Sequence, residues 1–229
     1  MPGSRKKTIR DHYEPRLAAG GESHEVLDWA SREGQLARLR ALCRNVDLAG
    51  KSLLDVGCGL GDLWGHLQVC GIAVAYTGVD LLEEMVAAAR KRHPDARFIC
   101  ADVFGEDVFE PESFDVVFIS GVFNLDLGNN EAFLEAAIPR LRELAREAVV
   151  FNLLHRRSRD DDPRYFYYDP GRVTAMLERH DCDVELLDDY LPQDFTIICW
   201  KLPPGRRGSC ERCAIPCCQS RPPADPGQP

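Results

Sequence analysis

The stretch Leu53-Leu54-Asp55-Val56-Gly57-Cys58-Gly59-Leu60-Gly61 constrains this chain more than any other. Ser52 to Val56 is a short apolar run that reads as a buried strand, and Leu60 to Val69 reads as a helix. Three glycines therefore fall in a strand-to-helix turn, where the backbone can turn tightly and approach a ligand without Cβ obstruction. In an open parallel sheet such a turn lies at the carboxyl ends of the strands, where ligands bind. A dinucleotide turn would follow G-x-G-x-x-G, but Asp62 stands where the third glycine belongs. A carboxylate at that helix start repels a pyrophosphate. Asp55 adds further negative charge, which suits a cationic ligand such as a sulfonium bearing an amino group.

The rest of the chain repeats the pattern. Strands are expected at Ala75 to Val79, Arg97 to Cys100, Phe114 to Ser120, Ala148 to Leu153, Val184 to Leu187 and Phe195 to Lys201. Helices are expected at Glu83 to Arg92, Asn130 to Arg146 and Pro170 to His180. This alternation implies βαβ units and a parallel sheet covered on both faces. The last two strands are too close for a helical crossover, so the final one is expected to run antiparallel. Before the sheet, residues 1–21 read as a polar arm or lid, and Ser23 to Cys43 as one amphipathic helix. Three units follow: an arm and helix over 1–45 that cover the active site, an α/β domain over 46–202, and a disordered Cys/Pro-rich tail over 203–229.

Two further strands end in acids. Asp80 closes Tyr76-Thr77-Gly78-Val79-Asp80, 19 residues after Gly61, where a carboxylate can take two hydrogen bonds from ribose hydroxyls. Asp102 closes Arg97-Phe98-Ile99-Cys100-Ala101-Asp102 and suits the exocyclic amine of adenine. Taken singly, Asp80 or Asp102 fits a helix N-cap equally well. Three acids at consecutive strand ends are hard to explain as capping.

On these residues, Lys51 to Leu125 resembles a class I S-adenosylmethionine-dependent methyltransferase, with its sequence blocks in their usual order. The resemblance implies a Rossmann-like α/β fold, a mostly parallel seven-stranded sheet with helices on both faces and an antiparallel last strand. It implies S-adenosyl-L-methionine as cofactor, with Asp55, Gly57, Cys58, Gly59 and Gly61 against its methionine part. Asp80 would hold the ribose, Leu81 and Met85 would pack on the adenine or sugar, and Asp102 with the Val103 backbone would read the adenine edge. Phe114 to Gly121 matches the fourth block, which brings Ser120 and Gly121 beneath the methionine moiety.

The remainder bears on the methyl acceptor. The formal net charge of −9 argues against a broad contact with nucleic-acid phosphates, so no DNA partner is expected. Val122-Phe123-Asn124-Leu125 lacks the Asn/Asp-Pro-Pro-Tyr/Phe pattern of amino-group methyltransferases acting on nucleic acids and glutamine. A small-molecule acceptor methylated on oxygen or nitrogen is the expectation; the alternatives are an RNA or protein methyltransferase and a non-catalytic cofactor-binding protein of the same fold. Phe123 and Asn124 are expected at the acceptor mouth, with a core position the competing reading for Phe123. Between a strand and a helix lies His155-Arg156-Arg157-Ser158-Arg159-Asp160-Asp161-Asp162-Pro163-Arg164-Tyr165-Phe166-Tyr167-Tyr168. Its four aromatics cannot all be core, and Arg156, Arg157 and Arg159 are expected to pair internally with Asp160 to Asp162. His155 is the candidate general base, against a structural, hydrogen-bonded histidine. Trp29 and Tyr13 are weaker candidates for the cofactor or acceptor site.

No stretch approaches the ~18 apolar residues that span a bilayer, and no apolar run follows the basic N-terminus, so neither a membrane nor a secretory signal is expected and a cytoplasmic protein follows. Cys43, Cys58, Cys70, Cys100, Cys182 and Cys199 lie singly and are expected to be reduced core residues. Cys210, Cys213, Cys217 and Cys218 crowd a short tail, unlike the separated knuckles of a structural zinc site, so no metal is assigned. No motif fixes the acceptor or the oligomeric state.

Overall fold

The computed structural model describes residues 2–158, 162–180 and 182–201, with side chains from Arg5 onward. The tail cysteines and Arg159 to Asp161 lie outside the described residues. The first strand, β1 (Ser52–Val56), enters the glycine turn and emerges as α4 (Asp62–Cys70); β2 (Ala75–Asp80), α5 (Glu83–Arg92) and β3 (Arg97–Cys100) follow. Next come β4 (Phe114–Ser120), α6 (Asn130–Leu144), β5 (Ala145–Leu154), α7 (Pro170–Glu178), β6 (Asp183–Leu187) and β7 (Asp194–Trp200). They form one seven-stranded sheet in the order β3-β2-β1-β4-β5-β7-β6, and β7 runs antiparallel to both its neighbours. This is the expected α/β fold, including the antiparallel last strand.

The strand order reverses beside β1. β1 pairs with β2 on one side and β4 on the other, so the loops after β1 and β4 splay apart and open a crevice above their carboxyl ends. The central strands are apolar on both faces because helices cover both. Leu54, Val117, Ile119, Val149 and Phe151 pack under α6 and α7. Leu53, Val116, Phe118, Val150 and Ile198 pack under the opposite helices.

The N-terminal region departs from expectation. The polar arm is a helix, α1 (Pro2–Ala19), and the single helix expected from Ser23 to Cys43 is two: α2 (Ser23–Val26) and α3 (Arg32–Asn45). The break has a local cause. Glu22 and Glu25 form a capping box around α2, and the Ser31 side chain accepts from the Gly34 N–H at 3.0 Å to restart the chain as α3. Between them Asp28 takes a left-handed conformation, φ 56°, which an amphipathic pattern does not reveal. α1 docks through Ile9, Tyr13 and Leu17 on a small cluster of Val26, Leu60, Leu82 and Met85.

Three of the cysteines expected to be reduced are not: Cys70 is disulfide-bonded, and Cys182 and Cys199 form a disulfide, Cα atoms 5.3 Å apart. The antiparallel register, with Val184 opposite Cys199, brings the latter two together, and spacing along the chain does not disclose that register. Cys58 and Cys100 are in no disulfide. No helix of the described residues is long and apolar enough to cross a membrane.

Candidate active site

Two cavities lie over the carboxyl ends of the strands. The first, about 860 Å3 including its mouth, is walled by Gly57 and Gly59 of the glycine turn, Asp80, Leu81 and Met85 after β2, and Asp102 and Val103 after β3. Ser120 at the end of β4 and Gly121 after it complete its floor, and Arg5, Ile9 and Tyr13 of α1 form its roof. The second, about 1000 Å3, is walled by Asp28, Arg38, Asn124, Asp162, Arg164, Tyr165 and Tyr167, among others. Tyr13, Leu27, Trp29 and Gly121 belong to both, so the cavities adjoin at that point.

The glycines are there because nothing larger fits. Gly57 sits at φ 72°, and a Cβ on it would lie 2.3 Å from Val122 Cγ2. A Cβ on Gly121, φ 84°, would lie 2.8 Å from the Trp29 ring. Asp80 is fixed by the turn it faces: Oδ2 accepts from the Gly59 N–H and Oδ1 from the Leu82 N–H, each at 3.0 Å. Burial raises its pKa, and those two backbone bonds act against the rise. Each oxygen keeps a lone pair for a further donor, which suits a vicinal diol.

Nine of the twelve residues expected at the cofactor line the first cavity: Gly57, Gly59, Asp80, Leu81, Met85, Asp102, Val103, Ser120 and Gly121. Asp55, Cys58 and Gly61 are not among its walls. The Asp55 side chain points along the sheet and accepts from the Tyr76 hydroxyl at 2.7 Å. Burial pushes its carboxyl up to about 7, with the Tyr76 bond opposing. Cys58 is buried among Leu53, Leu63 and Phe98. Gly61 is the left-handed N-cap of α4, and its missing Cβ leaves room for Phe98 and His93. All three shape the turn from behind.

Sequence reasoning missed Arg5. Its guanidinium pairs with Asp102 Oδ2 and lies over the rings of Phe104 (5.4 Å) and Phe133 (4.8 Å), pinning the start of α1 across the cavity. No local motif marks it, since its partner is 97 positions away.

His155 takes the position of the competing, structural reading. His155 is buried, lies among the walls of neither cavity, and stacks edge-on against Phe195 at 5.6 Å. Its Nδ1 accepts from the Arg157 N–H at 2.9 Å, and burial, then Arg157, lowers its pKa. It ties a loop to the sheet. The loop's aromatics divide: Tyr165 and Tyr167 line the second cavity, while Tyr168 is core, its hydroxyl on the Phe123 carbonyl at 2.8 Å. Phe123 is wholly buried, whereas Asn124 does line the cavity. Arg156 and Arg157 pair outside the expected acidic run, Arg156 with Asp169 and Arg157 with Asp188 at 3.3 Å, while Arg164 holds Asp162 within it at 2.6 Å.

The floor fits a ligand with polar groups. Ser120 Oγ and Trp29 Nε1 are both buried without a hydrogen-bond partner among the described residues, and both belong to cavity walls. Unpaired buried donors are costly, and a ligand that pairs with them repays part of that cost on binding.

Comparison with known proteins agrees with this geometry. A family profile described as "Methyltransferase domain" matches residues 53–144. A putative methyltransferase of Mycobacterium tuberculosis is 34% identical over 160 residues, 64% of this chain and 91% of that protein. The ubiquinone biosynthesis O-methyltransferase of Pseudomonas putida is 37% identical over 86 residues, 35% of each chain. Among solved structures, magnesium protoporphyrin IX methyltransferase from Synechocystis with bound S-adenosylhomocysteine superposes with a TM-score of 0.62 at 14% identity. That likeness covers 86% of this chain and all of that one, and it concerns the fold.

Proposed function

This chain belongs to the class I S-adenosylmethionine-dependent methyltransferase family, and on that premise we propose that it methylates an oxygen or nitrogen of a small molecule. In this reading the first cavity takes S-adenosylmethionine and the second takes the acceptor. The observation that carries the reading is the shared wall of Tyr13, Leu27, Trp29 and Gly121, where a donor in one cavity meets an acceptor in the other.

The cofactor supplies an electrophilic methyl group on a sulfonium. The chain's own residues bind and orient. Gly57 and Gly59 admit the ligand close to the backbone, and Asp80 offers its free lone pairs to ribose hydroxyls. Asp102 and Val103 sit where the adenine edge would be read, although Arg5 already holds one Asp102 oxygen. The buried Ser120 hydroxyl is available to the methionine end. α1 closes the roof and excludes water, so alignment in a dry cavity supplies much of the acceleration.

A small acceptor is supported by the size of the second cavity and by the likeness to a ubiquinone biosynthesis O-methyltransferase. Calorimetry with S-adenosylhomocysteine, followed by transfer of tritiated methyl to a small-molecule panel, tests the reading. Micromolar binding with label in a small product supports it; label retained only by RNA or protein would replace the acceptor assignment.

A further inference from the structure

The acceptor cavity holds one carboxylate whose two oxygens are treated differently. Asp28 stands between α2 and α3 at φ 56°, a costly conformation for a residue with a side chain. Four groups from two distant segments gather on its Oδ2. They are His12 Nε2 at 3.0 Å, Arg16 Nη2 at 2.8 Å, Arg164 Nη1 at 3.2 Å and the Tyr165 hydroxyl. No hydrogen bond or ion pair engages Oδ1 among the described residues, the side chain is 23% exposed, and the residue lines the acceptor cavity next to the shared wall at Leu27 and Trp29. One oxygen is an anchor and the other is an open hydrogen-bond acceptor.

The charges around the cavity narrow what can use it. Arg164 is already held by Asp162, with Nη2 2.6 Å from Oδ2, and Arg38 by the buried Asp194 at 2.6 Å. Each arginine's charge is thus already balanced by a carboxylate, which weakens its pull on an anionic acceptor, although Arg38 Nε keeps an unpaired N–H. The Asp28 charge is itself balanced by Arg16 and Arg164 on Oδ2, so an ammonium gains little there. A neutral O–H donor matches what remains. The rings of Tyr13, Trp29, Tyr165 and Tyr167 around it favour a flat, unsaturated body.

We propose that Asp28 Oδ1 binds the nucleophile of the acceptor and that the acceptor is a neutral aromatic hydroxyl compound. This rests on the assignment of the second cavity to the acceptor. In the transfer, the hydroxyl oxygen forms a bond to the methyl carbon while the carbon–sulfur bond pair stays on sulfur as a thioether. The hydroxyl proton passes to Oδ1 and then to water.

The test uses tritiated-methyl S-adenosylmethionine with catechol, 2-naphthol and benzoate at millimolar concentration, on wild type, Asp28→Asn and Arg16→Gln. Calorimetry with S-adenosylhomocysteine runs beside it. Label is expected in catechol or naphthol and absent from benzoate. Asp28→Asn should lower that rate at least 50-fold while cofactor affinity stays within threefold. Arg16→Gln loosens the same tie to α1 without touching Oδ1 and should lose less than fivefold. Label in benzoate, no label in either hydroxyl compound, or equal losses in the two variants would overturn the inference while leaving the methyltransferase reading intact. Failure to bind S-adenosylhomocysteine at all would instead sink the placement of the cofactor.

Discussion

Replacing Asp80 tests the cofactor site with a magnitude the structure sets. Its carboxylate is half-buried, accepts from Gly59 and Leu82 N–H at 3.0 Å each, and belongs to a residue that lines the first cavity. Asp80→Ala removes two hydrogen bonds to the ribose, each to a charged group. At about 1.5–3 kcal/mol apiece before the cost of desolvating the sugar, a net loss of about 3 kcal/mol is reasonable, or roughly a hundredfold in Kd. The same change orphans two backbone donors of the turn, which costs the free protein about 1–3 kcal/mol per donor where water cannot reach. Asp80→Asn keeps one carbonyl oxygen and should lose about half as much on both counts. Calorimetry with S-adenosylhomocysteine gives the first number and thermal melting the second. A folded Asp80→Ala protein that binds S-adenosylhomocysteine with wild-type affinity would falsify the placement of the ribose.

Three other outcomes follow from the geometry. Gly57→Ala puts a Cβ 2.3 Å from Val122 Cγ2 at φ 72°, so it should cost roughly 1–3 kcal/mol in a chemical melt and abolish cofactor binding; adding Val122→Ala should relieve the clash but not the strained φ. Asp55 has a folded pKa of about 7, above its unfolded value, so the folded state holds its proton longer and stability falls as pH rises from about 4 to 7. Asp55→Asn should flatten that part of a urea-melt pH series, and an unchanged slope would remove Asp55 as its source. Breaking the buried Arg38–Asp194 pair with Arg38→Met leaves an uncompensated carboxylate and should cost about 3–5 kcal/mol; Arg38→Met with Asp194→Leu should recover most of it.

The sheet was legible because its signals are local. Apolar runs such as Phe114 to Ser120, glycines between strand and helix, and the short last connection each follow from neighbouring residues. The glycines that line the first cavity and the acids at the ends of β2 and just past β3 are marked in the same local way. Asp55 lies one residue inside the strand, and its bond to Tyr76 of the neighbouring strand is not legible from spacing. His155 looked catalytic by type and place, yet its orientation is set by Arg157 and Phe195. Arg5 and Asp28 were not legible. Arg5 depends on Asp102, and Asp28 on Arg164 and Tyr165, all more than 90 positions away. The helix break at Asp28 is a backbone choice that no periodicity encodes.

The central claim is that the cofactor lies beneath α1, on the glycine turn, beside the acceptor cavity. Hydrogen exchange of the protein with and without S-adenosylhomocysteine tests it most directly. Added protection at residues 57–61, 80–85, 101–104 and 120–122, together with slowed exchange along α1 from Arg5 to Tyr13, is the predicted result. Protection confined to other segments, or an α1 whose exchange ignores the ligand, would contradict the account.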